Sequence, residues 1–329
     1  MRRVLHSVCF RGRNEFSPSE PQNALWLHGS GRVAAGFVNI WQDIGKHIHS
    51  ATGTAVYGVR DPVGGGCINQ AVRMRGEGRD FFVKFNDAVH RDMFAAEAEG
   101  LREIAATHTV RVPEPVCWGV AGGTAYLVLE YLTCGRGGSG AVLGDRLAAM
   151  HRVTRAEFGW HRDNTIGSTP QINTPAADWI GFWRERRLGY QLELAARNGW
   201  GGELQRSGAR LLAGFAGLFD GYRPQPSLLH GDLWGGNHAY LADGQPVIFD
   251  PAVYFGDREA DLAMTELFGG FGAGFQAAYR AAWPLDAGYA VRRTLYNLYH
   301  VLNHLNLFGG GYHDQALGMM RRLLAELDA

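Results

Sequence analysis

The pattern of apolar and polar positions along the chain becomes regular only near residue 38. In VNIWQDIGKHIHSATG (38–53), apolar residues recur at spacings of three or four, at Ile40, Trp41, Ile44 and Ile48. This spacing predicts an amphipathic helix that ends near Gly53, because residues three and four apart share one face of a helix. Residues 1–37 show no sustained period, so we predict an irregular N-terminal extension there.

One interpretation of this extension is a start-site artefact, with Val38 encoded by a GTG start codon. On that interpretation, removal of residues 1–37 is expected to leave activity and melting temperature close to those of the full chain.

Residues 38–132 combine strand-like runs with one further helical pattern, and they predict a small β-rich N-lobe. The strands are predicted in 55–76, 79–86, 112–120 and 124–132. The segment 92–108 predicts a helix, because it is rich in alanine and leucine and its apolar residues share a face. The last strand is strongly apolar and is expected to be central. A glycine-rich linker follows at 133–140.

The rest of the chain, 133–329, predicts a larger and mostly helical C-lobe. Helical spacing covers 142–153, 178–199, 202–221 and 287–327. The exception is 228–250, where PVIFD (246–250) predicts a strand that ends on an acidic residue. The two halves together predict an α+β fold with two lobes.

Charge and cysteine content exclude several classes of protein. The 329 residues include 32 Lys and Arg against 32 Asp and Glu, so no net field attracts nucleic acid or an anionic membrane. No apolar run approaches the roughly 18 residues that a membrane helix needs. The cysteines lack Cys-x-x-Cys spacing, which is unfavourable for a zinc site or a disulfide framework. These features favour a cytoplasmic globular enzyme. The cysteines are Cys9, Cys67, Cys117 and Cys134.

The stretch LLHGDLWGGN (228–237) contains the spacing His-x-Asp-x-x-x-x-Asn, formed by His230, Asp232 and Asn237. In a kinase catalytic loop, the Asp accepts the proton of the attacking hydroxyl and the Asn five residues later binds a metal ion. Asp250 ends the strand PVIFD and is placed to bind Mg²⁺ together with Asn237. We therefore predict Asp232 as the catalytic base and Asn237 and Asp250 as metal ligands.

The remaining parts of an ATP site occur earlier in the chain, in the order that a kinase requires. Lys84 lies in the apolar strand FFVKF and needs an acidic partner if it points inward; Glu97 is our choice, with Glu99 as the competing one. Taken singly, the glycines fit a plain turn and Lys84 fits a strand edge, but the ordered set favours a kinase. The candidate ATP-binding residues are Gly64, Gly65, Gly66, Cys67, Lys84, Glu97 and, as a hinge, Glu130, Tyr131 and Leu132.

Two departures argue against a protein kinase. Asp250 is followed by Pro251 and Ala252 rather than by Phe-Gly, and no Ala-Pro-Glu segment follows. An activation loop and a peptide platform are therefore absent from the sequence, and a bilobal protein-kinase-like enzyme that phosphorylates small hydroxylated molecules remains.

From about residue 39 onward the chain resembles the fructosamine kinases, or ketosamine-3-kinases, of the aminoglycoside-phosphotransferase-like superfamily. The motifs that carry the resemblance are GGGCI, FFVKFN, FGWHRDNTIGSTPQIN, RRLGYQLELA, LLHGDLWGGN, IFDPAVYFGDREADLAM and NHLNLFGG. The resemblance implies ATP- and Mg²⁺-dependent phosphorylation of the sugar 3-hydroxyl in ketosamines, on small amines or glycated proteins. The phosphorylated product is unstable and releases the free amine, so the activity is one of deglycation.

Outside the predicted ATP site, the sequence suggests residues that bind the acceptor and a residue that holds the catalytic loop. Trp234 is expected to stack on the ketosamine, and His304 on the late helix is a second candidate substrate residue. The segment 158–173 is expected to border the acceptor pocket. Asp261 is expected to tie the catalytic loop from a helix, whereas Asp257 and Glu259 are interpreted as a solvent-exposed helix start rather than a metal cluster.

Alternatives to this reading remain open. The chain could instead phosphorylate an aminoglycoside, choline or a similar alcohol, or be an inactive nucleotide-binding protein; the intact Lys84, Asp232, Asn237 and Asp250 weigh against inactivity. Cys67 lies in the predicted phosphate-binding turn and is a candidate redox-sensitive thiol. The protein is accordingly expected to be a monomer or a homodimer linked through Cys67.

Overall fold

The computed structural model describes residues 35–63 and 68–328, which divide into two compact units. The smaller unit contains the described residues up to Phe94 together with Pro115–Tyr131, and the larger one contains Ala95–Glu114 and 132–328. The predicted glycine-rich turn, 64–67, and nearly all of the predicted extension lie outside the described residues. The domain boundaries predicted from the sequence stay predictions.

The smaller unit is an antiparallel sheet covered by one helix, α1 (Ala35–Thr52). The sheet has the order β1-β2-β3-β5-β4, so β3 is the central strand, and β5, which was expected to be central, lies between β3 and β4. Ile40, Ile44 and Ile48 of α1 are buried in one cluster with Phe81 and Val128 of the sheet. The predicted amphipathic face of α1 is therefore confirmed. The strands are β1 (Val56–Pro62), β2 (Gln70–Gly76), β3 (Asp80–Asp87), β4 (Pro115–Ala121) and β5 (Thr124–Glu130).

Helices dominate the larger unit, and three two-stranded antiparallel pairs interrupt them. One helix, α2 (Arg91–Ala105), contributes residues to both units. The others are α3 (Gly140–His151), α4 (Trp179–Trp183), α5 (Tyr190–Arg197), α6 (Glu203–Gly214), α7 (Glu259–Leu267), α8 (Ala273–Ala282), α9 (Tyr289–Phe308) and α10 (His313–Leu327). The strand pairs are β6 (Asn164–Ile166) with β7 (Thr169–Gln171), β8 (Ser227–Leu229) with β11 (Tyr254–Gly256), and β9 (His238–Tyr240) with β10 (Pro246–Ile248).

The sequence predicts one continuous helix over 178–199, and the structure differs there. A π-helical segment, Arg184–Gly189, separates α4 from α5. Arg187 within it is fully buried, and its guanidinium lies 4.3 Å from the ring centre of Tyr254. π-helical segments of this kind are frequent near functional sites. The predicted α+β class is confirmed, and no helix among the described residues is long and apolar enough to cross a membrane.

Candidate active site

The predicted catalytic loop follows β8 directly and turns at Gly231. Gly231 has a φ of 82°, and a Cβ at this position would lie 2.1 Å from the carbonyl oxygen of Ala252. Only glycine fits, because both the left-handed backbone and the close contact exclude a side chain. The loop thus packs its backbone against the segment that follows Asp250.

His230 connects this loop to the strand that precedes Asp250. Its Nδ1 accepts a hydrogen bond from the backbone N–H of Asp232 (3.2 Å), so its Nε2 carries the proton that is donated to the carbonyl oxygen of Phe249 (3.0 Å). Burial lowers the pKa of His230 and outweighs the opposing charge of Asp261. His230 therefore holds the loop and the strand together as a neutral side chain.

Asp261, in α7, holds the same loop through its backbone. Its carboxylate accepts hydrogen bonds from the backbone N–H groups of His230 (2.7 Å) and Gly231 (2.8 Å), and it contacts Nε2 of His151 at 3.1 Å. Burial acts to raise the pKa of Asp261, but the hydrogen bond and charge of His151 outweigh it and the pKa is lowered. The predicted anchoring role of Asp261 is confirmed.

Asp232, Asn237 and Asp250 lie next to one another. The Nδ2 of Asn237 donates to the carbonyl oxygen of Asp232 (2.9 Å) and to its Oδ2 (3.2 Å), and it lies 3.5 Å from the carbonyl oxygen of Asp250. Burial and the negative charge of Asp250 raise the pKa of Asp232 to about 7, and the hydrogen bond from Asn237 offsets part of this rise. A carboxyl group with such a pKa can exchange a proton near neutral pH.

The backbone at Asp250 adopts an uncommon conformation. Its φ is 59°, in the left-handed region that Asp tolerates better than most residues. Such a conformation costs on the order of 1–3 kcal/mol and is typical of functional positions. The neighbouring contacts described above, through His230 and Asn237, hold this part of the chain in place.

The residues around Asp232 fit a magnesium ion. The carboxylate of Asp250 and the amide oxygen of Asn237 are hard oxygen donors, and Oδ1 of Asn237 accepts no hydrogen bond from any residue that the structure describes. Among the described residues, no group of three or more His, Cys, Asp or Glu side chains could hold a metal ion. Two protein ligands nevertheless suit Mg²⁺, which completes its shell with phosphate oxygens and water.

In the smaller unit, the predicted nucleotide-binding residues lie at the middle and at the end of the sheet. Lys84 is in the central strand β3 and is only 6% exposed, so the alternative of a solvent-facing lysine is excluded. Glu130 ends β5, and the next residue, Tyr131, donates its N–H to the carbonyl oxygen of Asp80 (3.3 Å). The guanidinium of Arg73 lies 4.4 Å from the ring centre of Tyr131.

In the larger unit, the two candidate partners of Lys84 differ in their surroundings. Glu99 accepts hydrogen bonds from Arg162 (2.7 Å) and His161 (3.0 Å), so its carboxylate is already engaged within this unit. Glu97 lies on the same helix, α2, and is half-buried. Leu132, the last predicted hinge residue, is buried in a cluster with Cys134, Val247 and Phe249. The remaining candidates, Gly64, Gly65, Gly66 and Cys67, lie outside the described residues, as does the predicted redox role of Cys67.

The two candidate substrate residues, Trp234 and His304, belong to one series of aromatic rings. The Trp234 ring lies over Gly236, where a Cβ would meet the ring at 2.3 Å. The ring centre of Phe268 lies 6.4 Å from that of Trp234 and 5.0 Å from that of His304. Phe268 was missed by the sequence analysis, although an aromatic residue directly before two glycines at a helix end is a usable signal.

The segment 158–173 forms the β6–β7 hairpin and holds the chain after Asp250. Asn164 donates to the carbonyl oxygen of Val253 (2.8 Å), and Gln171 donates to that of Ala252 (3.1 Å). The hydroxyl of Tyr299 donates in turn to Gln171 (3.0 Å). These buried bonds give the hairpin a positioning role, and its predicted place at the acceptor pocket stays a prediction.

The interpretation of Asp257 and Glu259 as a solvent-exposed helix start is wrong. Both carboxylates are fully buried. Asp257 accepts hydrogen bonds from the hydroxyls of Tyr222 (2.9 Å) and Tyr296 (2.5 Å), and Glu259 pairs with Arg292 at 2.7 and 3.1 Å. The partners lie more than 30 positions away along the chain, so local sequence gives no sign that these charges are compensated.

Proteins of known family resemble this chain over most of its length. A family model for fructosamine kinase matches residues 40–326. A protein of Synechocystis assigned as a ketoamine kinase is 49% identical over 293 residues, which cover 86% of this chain and 97% of that protein. The chloroplastic protein-ribulosamine 3-kinase of Arabidopsis thaliana is 46% identical over 271 residues, covering 81% and 83%.

Solved structures share the fold. A crystal structure from Haemophilus somnus, assigned as a fructosamine-3-kinase, has a TM-score of 0.81 and 28% identity and covers 88% of this chain and 99% of that chain. An aminoglycoside phosphotransferase solved with ADP and hygromycin B has a TM-score of 0.57 at 16% identity, covering 87% and 98%. The predicted kinase-like fold is thus confirmed. Because the family model spans most of the sequence and relatives share almost half of the aligned residues, the chain belongs to the fructosamine kinase family.

Proposed function

We propose that the protein is an ATP-dependent kinase of ketosamines that phosphorylates the sugar 3-hydroxyl of fructosamine, ribulosamine or erythrulosamine adducts. The observation that carries this proposal is the group formed by Asp232, Asn237 and Asp250, in which a carboxylate of raised pKa lies beside two oxygen donors suited to Mg²⁺. The names of the relatives supply the substrate class: ketoamine kinase and protein-ribulosamine 3-kinase.

Asp232 acts as the general base in this proposal. It accepts the proton of the 3-hydroxyl while the sugar oxygen forms a bond to the γ-phosphorus and the bond to the leaving ADP breaks. Asn237 and Asp250 would hold Mg²⁺, which when bound would neutralise charge on the transferred phosphate. Asn237 also keeps the Asp232 carboxylate in position, through the 3.2 Å hydrogen bond from its Nδ2.

The proposed ATP-binding residues follow the predicted set. Lys84 binds phosphate oxygens, and Glu97 rather than Glu99 is its proposed partner, since Glu99 is engaged by Arg162 and His161. The residues Gly64–Cys67, which the sequence predicts as a phosphate-binding turn, complete the proposed set, and the backbone of the hinge is proposed to bind adenine. The hinge residues are Glu130, Tyr131 and Leu132.

The acceptor is bound by Trp234 and His304, either as a free ketosamine or as a glycated side chain of a protein. Half-burial of both rings leaves part of each surface available to a ligand. The expected monomeric or Cys67-linked dimeric state and the expected cytoplasmic location stay predictions.

A panel assay tests the proposal. ATP consumption and phosphate incorporation are measured with fructose-, ribulose- and erythrulose-derived amines, with an aminoglycoside and choline as competing acceptors and Asp232→Asn as the inactive control. We expect turnover with at least one ketosamine and a mass increase of one phosphate on its sugar. Turnover with the aminoglycoside or choline alone would establish the runner-up function, a different small-molecule kinase of the same fold.

A further inference from the structure

A continuous series of aromatic rings runs outward from the catalytic loop. After Trp234 and Phe268, His304 lies 5.5 Å from the ring centre of Phe308 and 5.1 Å from that of Tyr312. Trp234, Phe268, His304 and Tyr312 are half-buried, whereas Phe308 at the far end of the series is 52% exposed. Phe308 therefore extends the half-buried rings into one contiguous apolar surface that ends in solvent, and a contiguous surface of this kind is a candidate ligand contact.

Glycine turns hold this series together at both ends. At the inner end, Gly269 and Gly270 follow Phe268, and a Cβ on Gly270 would lie 2.6 Å from the Cα of Gly235 in the catalytic loop. At the outer end, Gly309 has a φ of 88° and ends α9. The chain therefore reverses after Phe308, and Tyr312 comes back to lie beside His304. The backbone turns at Gly269–Gly270 and at Gly309 therefore fix where the rings of Phe268, Phe308 and Tyr312 lie.

His304 brings the only nitrogen into this series besides the indole. Its Nδ1 lies 2.7 Å from the carbonyl oxygen of His300, to which it donates its proton, so Nε2 is left as an acceptor. Burial lowers the pKa of His304, with the hydrogen bond to His300 acting in the opposite direction. No residue that the structure describes donates to Nε2. A neutral imidazole in this state can accept a hydrogen bond from an N–H donor of a ligand.

We propose that Phe268, His304, Phe308 and Tyr312 form a subsite for the amine part of the ketosamine, and that Phe308 determines specificity for the substituent on its nitrogen. This inference rests on the proposed function, because it takes Asp232 as the place of the reacting 3-hydroxyl. Only a few covalent bonds separate that hydroxyl from the amine nitrogen of the same sugar. With the sugar against Trp234, the amine and its substituent are carried toward the next rings.

The chemistry of the rings suits this occupant. A ketosamine contains a secondary amine that is a cation at neutral pH, and aromatic faces attract cations within about 6 Å of the ring centre. Nε2 of His304 can accept the N–H of this amine. Beyond it, the exposed face of Phe308 can cover an alkyl chain such as that of a glycated lysine side chain, since methylene groups gain free energy when they leave water.

Two substrates that differ only in the substituent test the subsite. The ribulose adducts of methylamine and hexylamine have the same sugar and the same charge. For the unchanged protein we expect kcat/KM to be about tenfold higher for the hexylamine adduct, the gain that burial of two or so methylene groups provides. In Phe308→Ala this ratio should fall to near one, because kcat/KM for the hexylamine adduct should fall about tenfold more than kcat/KM for the methylamine adduct.

Two further variants separate this effect from general damage. Tyr57→Ala removes an aromatic side chain of similar exposure, 61%, from β1 in the other unit, and it should keep the tenfold ratio. Phe308→Leu should keep an intermediate ratio. A ratio near one in the unchanged protein, or a tenfold ratio retained in Phe308→Ala, would overturn the proposal.

If no ketosamine of the panel is phosphorylated, the proposed function fails, and calorimetric binding of the two adducts tests the subsite by itself. Tighter binding of the hexylamine adduct that is lost in Phe308→Ala would support the subsite, whereas equal dissociation constants would overturn it.

Discussion

Asp232 is the residue at which the proposed chemistry can be tested most directly. In Asp232→Asn we expect kcat to fall by ~10²–10⁴-fold, the usual contribution of a general base. The affinity for ATP should change little, because Asn can still accept the hydrogen bond that Asn237 donates to this position. Steady-state kinetics together with nucleotide titration give both quantities.

The matched control for this change is Asp243→Asn, at the exposed turn between β9 and β10. It makes the same chemical substitution away from the catalytic loop and should leave kcat unchanged. Turnover in Asp232→Asn equal to that of the unchanged protein would remove Asp232 from the mechanism.

Trp234 should act on the acceptor rather than on the nucleotide. Trp234→Ala removes the ring that lies over Gly236, so we expect the KM for the ketosamine to rise severalfold or more and the KM for ATP to change little. Trp234→Phe should retain part of the effect, because a smaller aromatic face remains. Equal increases in both KM values would argue against acceptor stacking and for a general distortion of the loop.

At the scale of elements, α7 positions the catalytic loop through a single side chain. Asp261→Asn keeps the shape of the side chain but removes the charge that accepts hydrogen bonds from His230 and Gly231. We expect the free energy of unfolding to fall by about 1.5–3 kcal/mol, since hydrogen bonds to charged groups contribute this much. We also expect kcat to fall while ATP affinity is retained.

Urea denaturation and kinetics check this prediction, with Glu326→Gln on the exposed face of α10 as the control. If Asp261→Asn lost stability and ATP affinity together, its role would be that of a general core residue. If Asp261→Asn kept the kcat of the unchanged protein, α7 would not be needed to position the catalytic loop for turnover.

Long elements could be predicted from sequence patterns, whereas very short strands and the π-helical segment could not. The helix α1 and the central strand β3 were predictable because each contains enough residues for a period to emerge. The strands β8 and β11 have three residues each, and their paired residues lie 25 to 29 positions apart along the chain, so neither strand carries a pattern of its own. The π-helical segment at 184–189 was missed for a related reason: its apolar spacing is close to that of an α-helix.

At the scale of the whole molecule, the class and the core of the active site could be predicted, and the buried charges could not. His230, Asp232 and Asn237 are close in sequence, so their spacing already reflects their geometry. Glu259 and Arg292 are 33 positions apart, and their pairing follows from the packing of α7 against α9. Long-range compensation of this kind is visible only in the folded chain.

The buried carboxyl group of Asp232 makes the stability of the folded protein depend on pH. Asp232 has a pKa raised from 3.8 to about 7 in the folded protein, by burial and by the charge of Asp250. Between pH 4 and 7 the unfolded chain has therefore lost this proton while the folded protein retains it. Stability contributed by the protonated group is present at low pH and is lost as the pH rises toward 7.

Asn at position 232 cannot ionise, so the fall in stability with rising pH should be absent from Asp232→Asn. This variant should therefore be more stable than the unchanged protein above pH 7 and about equal to it near pH 4. One pKa unit corresponds to 1.36 kcal/mol, which sets the gain at about 4 kcal/mol at most. Urea denaturation at pH 5 and pH 8, with a chelator present to exclude Mg²⁺, measures it. Asp286→Asn is the opposite control, because the hydrogen bond from Arg292 lowers the pKa of Asp286 and its ionised form stabilises the fold at pH 8. Asp232→Asn should thus gain stability at pH 8 where Asp286→Asn loses it, and a loss in both would mean that Asp232 is ionised without penalty in the folded protein.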